Sequence, residues 1–274
     1  MCRFQKYPST KRPVVKIKLG IALRHAIVVM ALLTVVWPVQ AVTQQDYDFV
    51  VSKWTKVLST FVNDQGQTDF AALAGQQEDL LAYVDFVASV SPKSHPLLFP
   101  TPADVLAYHL NTYNALAMYG VIDEGLPTDF DSFFKRLSFF KLRDIRIGGE
   151  STSLYDYEND VIRSLDEPRI HFALNCMVKD CPRLPMVPFD AVELEAQLSE
   201  LTWQFFNKEK HLRIDSDNKV VYVSEILDFY TEDFVVSGDQ QDLLTYISRY
   251  QKVIIPADYK VEFIDYDWTI NQQP

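Results

Sequence analysis

The segment DEPRIHFALNCMVKDCPRLP, residues 166–185, contains the apolar alternation and the cysteine pair on which the predicted fold depends. Its first half, PRIHFAL at 168–174, predicts a β-strand, and its second half predicts a loop. Side chains alternate between the two faces of a strand. The apolar face then consists of Ile170, Phe172 and Leu174, and the opposite face consists of Arg169, His171, Ala173 and Asn175. The pattern predicts a polar ridge, with Cys176 where the strand leaves the sheet.

Residues 1–41 have the pattern of a secretory signal peptide. They contain seven Lys/Arg and no Asp/Glu, followed by the apolar run AIVVMALLTVVW at 26–37, a proline and Val39-Gln40-Ala41. The run is shorter than the roughly 20 residues that a membrane-spanning helix needs. Such a pattern is typical of a cleaved signal. We therefore expect a periplasmic or secreted protein without a membrane span after cleavage, and an uncleaved anchor is the alternative.

Cys176 and Cys181 allow several chemical roles. They are the two cysteines beyond residue 41, and an even pair in an exported protein favours a disulfide. In the chain-entropy model a disulfide that closes a loop of six residues contributes about 2 kcal/mol to stability. A redox-active pair is an alternative, although the C-x4-C spacing differs from the C-x-x-C of exchange proteins. A zinc site would need more Cys or His ligands than this segment offers.

Another interpretation makes Cys176 the nucleophile of a hydrolase or acyltransferase. In such enzymes a histidine takes the thiol proton and a third group orients the histidine. His171 is the candidate base, with Glu158 or Asn111 to orient it. Five residues of extended strand place His171 about 16 Å from Cys176, so the two meet only if the chain turns back after Leu174. The other candidate bases are His109 and His211.

The polar ridge needs hydrogen-bonding partners if it is buried. Glu158 precedes it on a predicted helix, and we expect this carboxylate to pair with Arg169 or to orient His171. Asn111 and Asn114 lie three residues apart on another predicted helix, so they share a face and are expected to add amide contacts. The cluster also has a structural interpretation, because buried polar networks can specify a fold without doing chemistry.

The remaining pattern predicts a single α+β domain at 42–274, with several helices packed on a small sheet and one C-terminal hairpin. Helices are predicted at 46–62, 77–90, 101–120, 153–165, 190–207, 224–234 and 240–250. Strands are predicted at 142–148 and 168–174, in the hairpin 211–224 and at 259–268. Thr101 with Asp104, and Ser153 with Asp156, have the spacing of capping boxes.

Composition and motifs exclude several classes of function. Removal of residues 1–41 leaves 19 Lys/Arg against 37 Asp/Glu, a net charge of −18. Such a surface repels nucleic acid, so no nucleic-acid partner is expected. The sequence has no dinucleotide, phosphate-loop or zinc-protease motif, and no cofactor or metal is predicted. The acidic runs DFYTEDF at 228–234 and DYDWTIN at 265–271 lack calcium-loop spacing and are interpreted as solvated faces.

Five motifs occur in a fixed order: YHLNTYNAL, GGESTSLYDYE, DEPRIHFALNC with CPRL, SEILDFYTEDF and YDWTIN. In this order the chain resembles domain-of-unknown-function family 547 from about Asp69 to Asn271. The positions that match the family motifs are Asn111, Tyr113, Asn114, Glu158, Arg163, Pro168, Arg169, His171, Cys176, Cys181, Pro182, Tyr266, Asp267, Trp268 and Asn271. The departures are His109 where Trp is usual, Glu167 where Asp is usual, and Asn159 where a His usually follows the glutamate.

The resemblance implies that one site is formed by residues distant in sequence, and it implies no particular activity. The predicted site contains Cys176, His171 and Glu158, in a polar cluster with Asn111, Tyr113, Asn114, Arg163, Arg169 and Asn175. We expect this cluster to form a pocket beside a disulfide-fixed loop and to bind a small molecule or an envelope protein. A Cys-dependent hydrolase and a purely structural envelope module are the alternatives.

Overall fold

Helices form most of the fold and two small sheets complete it. The computed structural model describes residues 41–252 and 254–274, and Thr43–Pro274 forms one compact unit. The predicted signal peptide, residues 1–41, lies outside the described residues except for Ala41. The helices are α1 (Gln44–Phe61), α2 (Phe70–Ala74), α3 (Glu78–Ser89), α4 (Pro102–Asp123), α5 (Phe133–Arg136), α6 (Leu154–Asp156), α7 (Leu194–Phe206), α8 (Ile226–Phe229), α9 (Thr231–Phe234) and α10 (Leu243–Ser248).

Tighter and wider turns extend several helices. The π-helical segments Leu137–Leu142 and Tyr157–Ile162 continue α5 and α6, and a 3₁₀ turn, Arg163–Leu165, follows the second of them. Further 3₁₀ turns are Pro96–Leu98, Pro168–Phe172 and Gln240–Asp242. Within the described part of the chain, no helix is both long enough and apolar enough to cross a membrane.

The strands form two sheets in the described residues. They are β1 (Ile145–Ile147), β2 (Glu150–Thr152), β3 (Leu212–Asp215), β4 (Val220–Ser224) and β5 (Lys260–Ile264). β1 and β2 pair antiparallel, and the second sheet has the order β3-β4-β5, with β3 antiparallel and β5 parallel to β4. The α+β class and the C-terminal hairpin predicted from the sequence are therefore confirmed.

α4 is the central helix, and most of its residues are buried. Its predicted capping box is confirmed, because Thr101 Oγ1 accepts from the Asp104 N–H (3.2 Å) and Asp104 accepts from the Thr101 N–H (2.9 Å). The predicted end at Gly120 is wrong, since the helix continues to Asp123. Gly120 has no side chain, and this leaves room for the ring of Phe139. A Cβ at this position would lie only 2.9 Å from Phe139 Cζ.

The strand predicted at 168–174 is wrong, and a 3₁₀ turn, Pro168–Phe172, takes its place. Pro168 has a φ fixed near the helical value, and the Glu167 carboxylate accepts from the Arg169 N–H (3.0 Å) at the start of the turn. Residues 170–175 are all buried, so the apolar alternation does not separate a buried face from an exposed one. A short apolar run does not by itself distinguish a strand from a buried helical segment.

Candidate functional site

The sulfur atoms of Cys176 and Cys181 lie at disulfide distance. Their Cα atoms are 6.1 Å apart, inside the usual range for a bridge. Cys181 is 3% exposed, whereas Cys176 is half-buried. The pair closes the six residues 176–181, as the disulfide interpretation predicts. Residues 175–182 are here called the cysteine loop.

Two asparagines hold the start of the cysteine loop. Asn114 on α4 accepts from the Asn175 N–H (2.8 Å) and donates to the Ala173 carbonyl (3.0 Å). Asn175 in turn accepts from the Met177 N–H (2.8 Å) and donates to the Pro182 carbonyl (2.6 Å). Met177 has a φ of 65°, a region that non-glycine residues rarely adopt. The amide contacts therefore fix a turn that the local sequence does not favour.

The C-terminal segment lies against the other side of the cysteine loop. The Lys179 N–H donates to the Thr269 carbonyl (2.8 Å), and the Asn271 N–H donates to the Met177 carbonyl (2.9 Å). Val178 and Ile270 form an antiparallel bridge between these two bonds. The backbone of the motif YDWTIN thus holds the cysteine loop in place on this side.

The two sulfur atoms have different neighbours. Cys181 Sγ accepts from the backbone N–H groups of Cys176 (3.1 Å) and Val178 (3.4 Å). The Tyr266 hydroxyl lies 3.6 Å from Cys176 Sγ. Burial raises the pKa of Tyr266 well above its ordinary value, and the nearby carboxylates of Asp180, Glu158 and Glu225 add to this. Tyr266 is therefore a neutral hydroxyl beside Cys176.

Glu158 is the buried carboxyl group of the site, at 3% exposure. It lies in the π-helical continuation of α6 and accepts hydrogen bonds from the hydroxyls of Tyr113 (3.1 Å) and Tyr230. Burial, followed by the charge of Glu158, raises the pKa of both tyrosines well above the ordinary value. The carboxyl group is thus held by neutral donors, and its contacts differ from the predicted pairing with Arg169 or His171.

His171 contacts the ion pair of Asp233 and Arg163, here called the ion-pair cluster. Its ring stacks on Tyr230 with centroids 3.9 Å apart, and its Nε2 lies 2.7 Å from Asp233 Oδ2. Arg163 binds the same carboxylate with two nitrogens, Nε at 2.6 Å and Nη2 at 2.7 Å. The contacts of His171 and of Cys176 do not include each other, so no contact supports the nucleophile–base arrangement.

The pKa of Asp233 shows how strongly this cluster favours the charged carboxylate. Burial alone would raise that pKa, but hydrogen bonds from His171 and Arg163 outweigh burial and lower it to about 2. The side chain of Asp233 is 21% exposed. The solvated-face interpretation of DFYTEDF is therefore wrong for Asp233, because helix α9 directs this side chain toward Arg163 and His171.

Arg169 and Asn111 make contacts outside this cluster. Arg169 binds Glu167 (2.7 Å) and Glu195 on α7 (2.6 Å), so it joins the 3₁₀ turn to α7. Asn111 exchanges hydrogen bonds with the Phe189 backbone, donating at 2.8 Å and accepting at 2.9 Å. Arg169 therefore holds the 3₁₀ turn against α7, and Asn111 holds α4 against the backbone at Phe189.

The other two candidate histidines are buried within the core. His109 Nδ1 lies 2.6 Å from the Tyr157 hydroxyl, and burial lowers its pKa to about 4. His211 stacks on Phe205 with centroids 4.0 Å apart, and burial together with Lys210 and Lys208 lowers its pKa to about 2. Within residues 41–252 and 254–274, no group of three or more His, Cys, Asp or Glu is placed to hold a metal ion.

The sequence did not predict the contacts that three residues of the site make. Tyr230 and Asp233 lie in the motif SEILDFYTEDF, and Tyr266 lies in YDWTIN. The motifs marked these segments, but periodicity alone gave no reason to single out these side chains. Their partners, Glu158, His171 and Cys176, are distant in sequence, so the pairing appears only in the folded chain.

A pH prediction follows from Asp233, whose folded pKa of about 2 lies below its unfolded value, near 3.9. The stabilisation that ionised Asp233 contributes is complete above about pH 3.9 and is lost as the pH falls toward about 2. We expect the stability difference between the wild type and Asp233→Asn to shrink by about 1 kcal/mol from about pH 5 to about pH 3. Urea unfolding at both pH values measures it. A difference that stays constant contradicts the prediction.

Comparison with known proteins identifies one segment of the chain. Residues 100–206, which are 107 of 274 residues, match the family model described as Protein of unknown function, DUF547. The family resemblance is therefore confirmed over α4, the cysteine loop and α7. The motifs at 224–234 and 266–271 lie outside the match. No curated protein and no solved structure matches the chain.

Proposed function

We propose that this chain is an exported domain that binds a small organic cation in a cleft beside the ion-pair cluster. The observation that carries the proposal is a cleft of about 160 Å³ that Asp233 helps to line. The cleft is lined by Arg163, Asp166, Glu167, Pro168, Ile170, Glu232, Asp233, Phe234, Val235 and Val236.

The charges of the lining favour a cation. Four carboxylates line the cleft, those of Asp166, Glu167, Glu232 and Asp233, against the single guanidinium of Arg163. Arg163 is engaged by Asp233 at 2.6 Å and by Glu232 at 3.0 Å. Glu167 is in turn bound by Arg169 at 2.7 Å. Asp166 and the exposed Glu232 therefore carry the negative charge that attracts a positive group, and the strongly acidic composition of the chain acts in the same direction.

The size and the apolar wall of the cleft limit the ligand. The cleft has a volume of about 160 Å³. Drug-sized ligands need pockets of about 300 Å³ or more. Side chains such as Phe234 and Val235 provide apolar surface. A short alkylammonium group, with its charge at the carboxylates and its carbons on this wall, fits these limits.

Export is the second part of the proposal. It is supported by the basic and apolar pattern of residues 1–41 and by the cysteine pair at disulfide distance, since disulfides persist in oxidising compartments. N-terminal sequencing of the chain recovered from periplasm or medium tests it. We expect a new N-terminus near residue 42, and a full-length chain in the cytoplasm contradicts export.

Binding is tested by NMR titration with two matched probes, propylammonium and propionate. We expect propylammonium to shift the backbone signals of Val235 and Val236, and propionate to leave them unchanged. Glu232→Gln removes one exposed charge of the cleft and should weaken binding about threefold, the size of effect expected for an exposed pair.

Glu209→Gln is the control, because Glu209 is an exposed glutamate outside the lining. It should leave the affinity unchanged. If both probes shift the same signals equally, or neither does, the cation proposal fails. Failure with both probes would favour a structural role for the polar cluster.

A further inference from the structure

We propose that the Cys176–Cys181 pair is a thiol–disulfide exchange site that accepts electrons from an external dithiol. The proposal is independent of the cation cleft and rests on the different surroundings of the two sulfur atoms. Reduction of a disulfide requires one sulfur that a thiolate reaches and another that leaves as a thiolate. The cysteine loop provides one of each.

Cys176 is the sulfur open to attack. It is half-buried, whereas Cys181 is 3% exposed, so an external thiolate has better access to Cys176 than to Cys181. The Tyr266 hydroxyl, 3.6 Å from Cys176 Sγ, is a neutral donor for the thiolate that forms when Cys176 is reduced.

Cys181 is the leaving group. Its sulfur already accepts from two backbone N–H groups, those of Cys176 (3.1 Å) and Val178 (3.4 Å). Hydrogen bonds to the charged form lower the pKa of a group, and a thiol of lower pKa leaves faster in exchange.

The two donors stay in place when the disulfide opens, because other contacts fix the loop. Asn114 and Asn175 hold its start through four amide hydrogen bonds. The backbone of Thr269 and Asn271 holds its middle. The loop is therefore pre-organised for the reduced state as well as for the oxidised state.

The reaction balances with a dithiol as the reductant. A first thiolate of the dithiol attacks Cys176 Sγ, a mixed disulfide forms, and Cys181 leaves with the electron pair of the broken S–S bond. The second thiolate of the dithiol then attacks the dithiol sulfur in the mixed disulfide, and Cys176 leaves as a thiolate that takes a proton from water. The dithiol is oxidised to a disulfide, and the cysteine pair is reduced by two electrons.

The test compares the redox equilibrium of the full chain when folded and when unfolded in concentrated urea. The chain is equilibrated with mixtures of reduced and oxidised dithiothreitol, quenched with acid and alkylated. Peptide mass spectrometry then measures the Cys176 and Cys181 thiols separately from Cys2. A structural bridge stabilises the folded state, so folding must make such a bridge harder to reduce.

We expect the opposite result. The equilibrium constant for reduction should be about tenfold larger for the folded chain than for the unfolded chain, as in exchange proteins whose reduced form is stabilised. A ratio of the folded to the unfolded equilibrium constant above one supports the exchange site. A ratio below one overturns it and leaves the pair as a structural bridge.

A second measurement addresses the leaving group directly. Cys176→Ser leaves Cys181 as a thiol, and the pH dependence of its Cβ chemical shift in NMR spectra gives its pKa without a reagent that must reach the buried sulfur. We expect a midpoint below the ordinary value of about 8.5, and a midpoint at or above that value contradicts the role of the two N–H donors. If the variant does not fold, the equilibrium on the wild-type chain still decides the proposal.

Discussion

Asn114→Ala is expected to lower the free energy of unfolding by about 3 kcal/mol, because it leaves buried backbone groups without partners. The side chain is 1% exposed and binds both the Asn175 N–H and the Ala173 carbonyl. Both groups lie in a buried segment, where alanine offers no replacement and water has little access. For a domain of this size the melting temperature should fall by roughly 6–12 °C.

Asn218→Ala is the matched control for this variant. Asn218 lies exposed in the turn between β3 and β4, and its side chain binds Asp215 in solvent. Its replacement should change stability by less than about 0.5 kcal/mol. Thermal and urea unfolding of the two variants measure the contrast. Equal stabilities for the Asn114 and Asn218 variants would show that α4 does not support the cysteine loop in the way described.

Asp233→Ala is the second large effect. The expected loss is about 3 kcal/mol, the lower end of the range for removing one partner of a buried ion pair, because this pair is only partly buried. It deprives His171, whose side chain is 1% exposed, and Arg163, whose side chain is 18% exposed, of their shared acceptor. Urea unfolding near neutral pH measures the loss.

Glu232→Ala provides an internal comparison, because Glu232 is adjacent in sequence and binds the same arginine. Its side chain is 78% exposed and its carboxylate lies 3.0 Å from Arg163. Exposed pairs contribute little, so this variant should lose at most about 0.5 kcal/mol. Similar losses for the two variants would mean that exposure does not set the strength of these ion pairs.

Local chemistry allowed parts of the fold to be predicted from the sequence. The Thr101 and Asp104 pair marks the start of α4 because the capping box involves residues three apart. The hairpin of β3 and β4 is marked by a polar turn between two apolar runs. In both cases the residues that form the structure are neighbours in the chain.

Prediction failed where a distant partner decides the structure. Ile170 and Phe172 alternate with polar residues as in a strand, but neighbouring helices bury every side chain from 170 to 175. Likewise, the sequence gives no reason to distinguish Asp233 from the acidic residues near it. Its partners His171 and Arg163 lie beside it only in the folded chain. Glu158 is bound by Tyr113 and Tyr230, which lie 45 and 72 residues away.

The position of residues 269–273 has a consequence for any change made to this segment. Residues 269–271 pair with the cysteine loop, and Asn271 and Gln273 also exchange backbone hydrogen bonds with Thr68. Loss of the segment would leave backbone groups of both the turn around Thr68 and the loop at 175–182 without partners. One short segment therefore couples the stability of two parts of the chain that are distant in sequence.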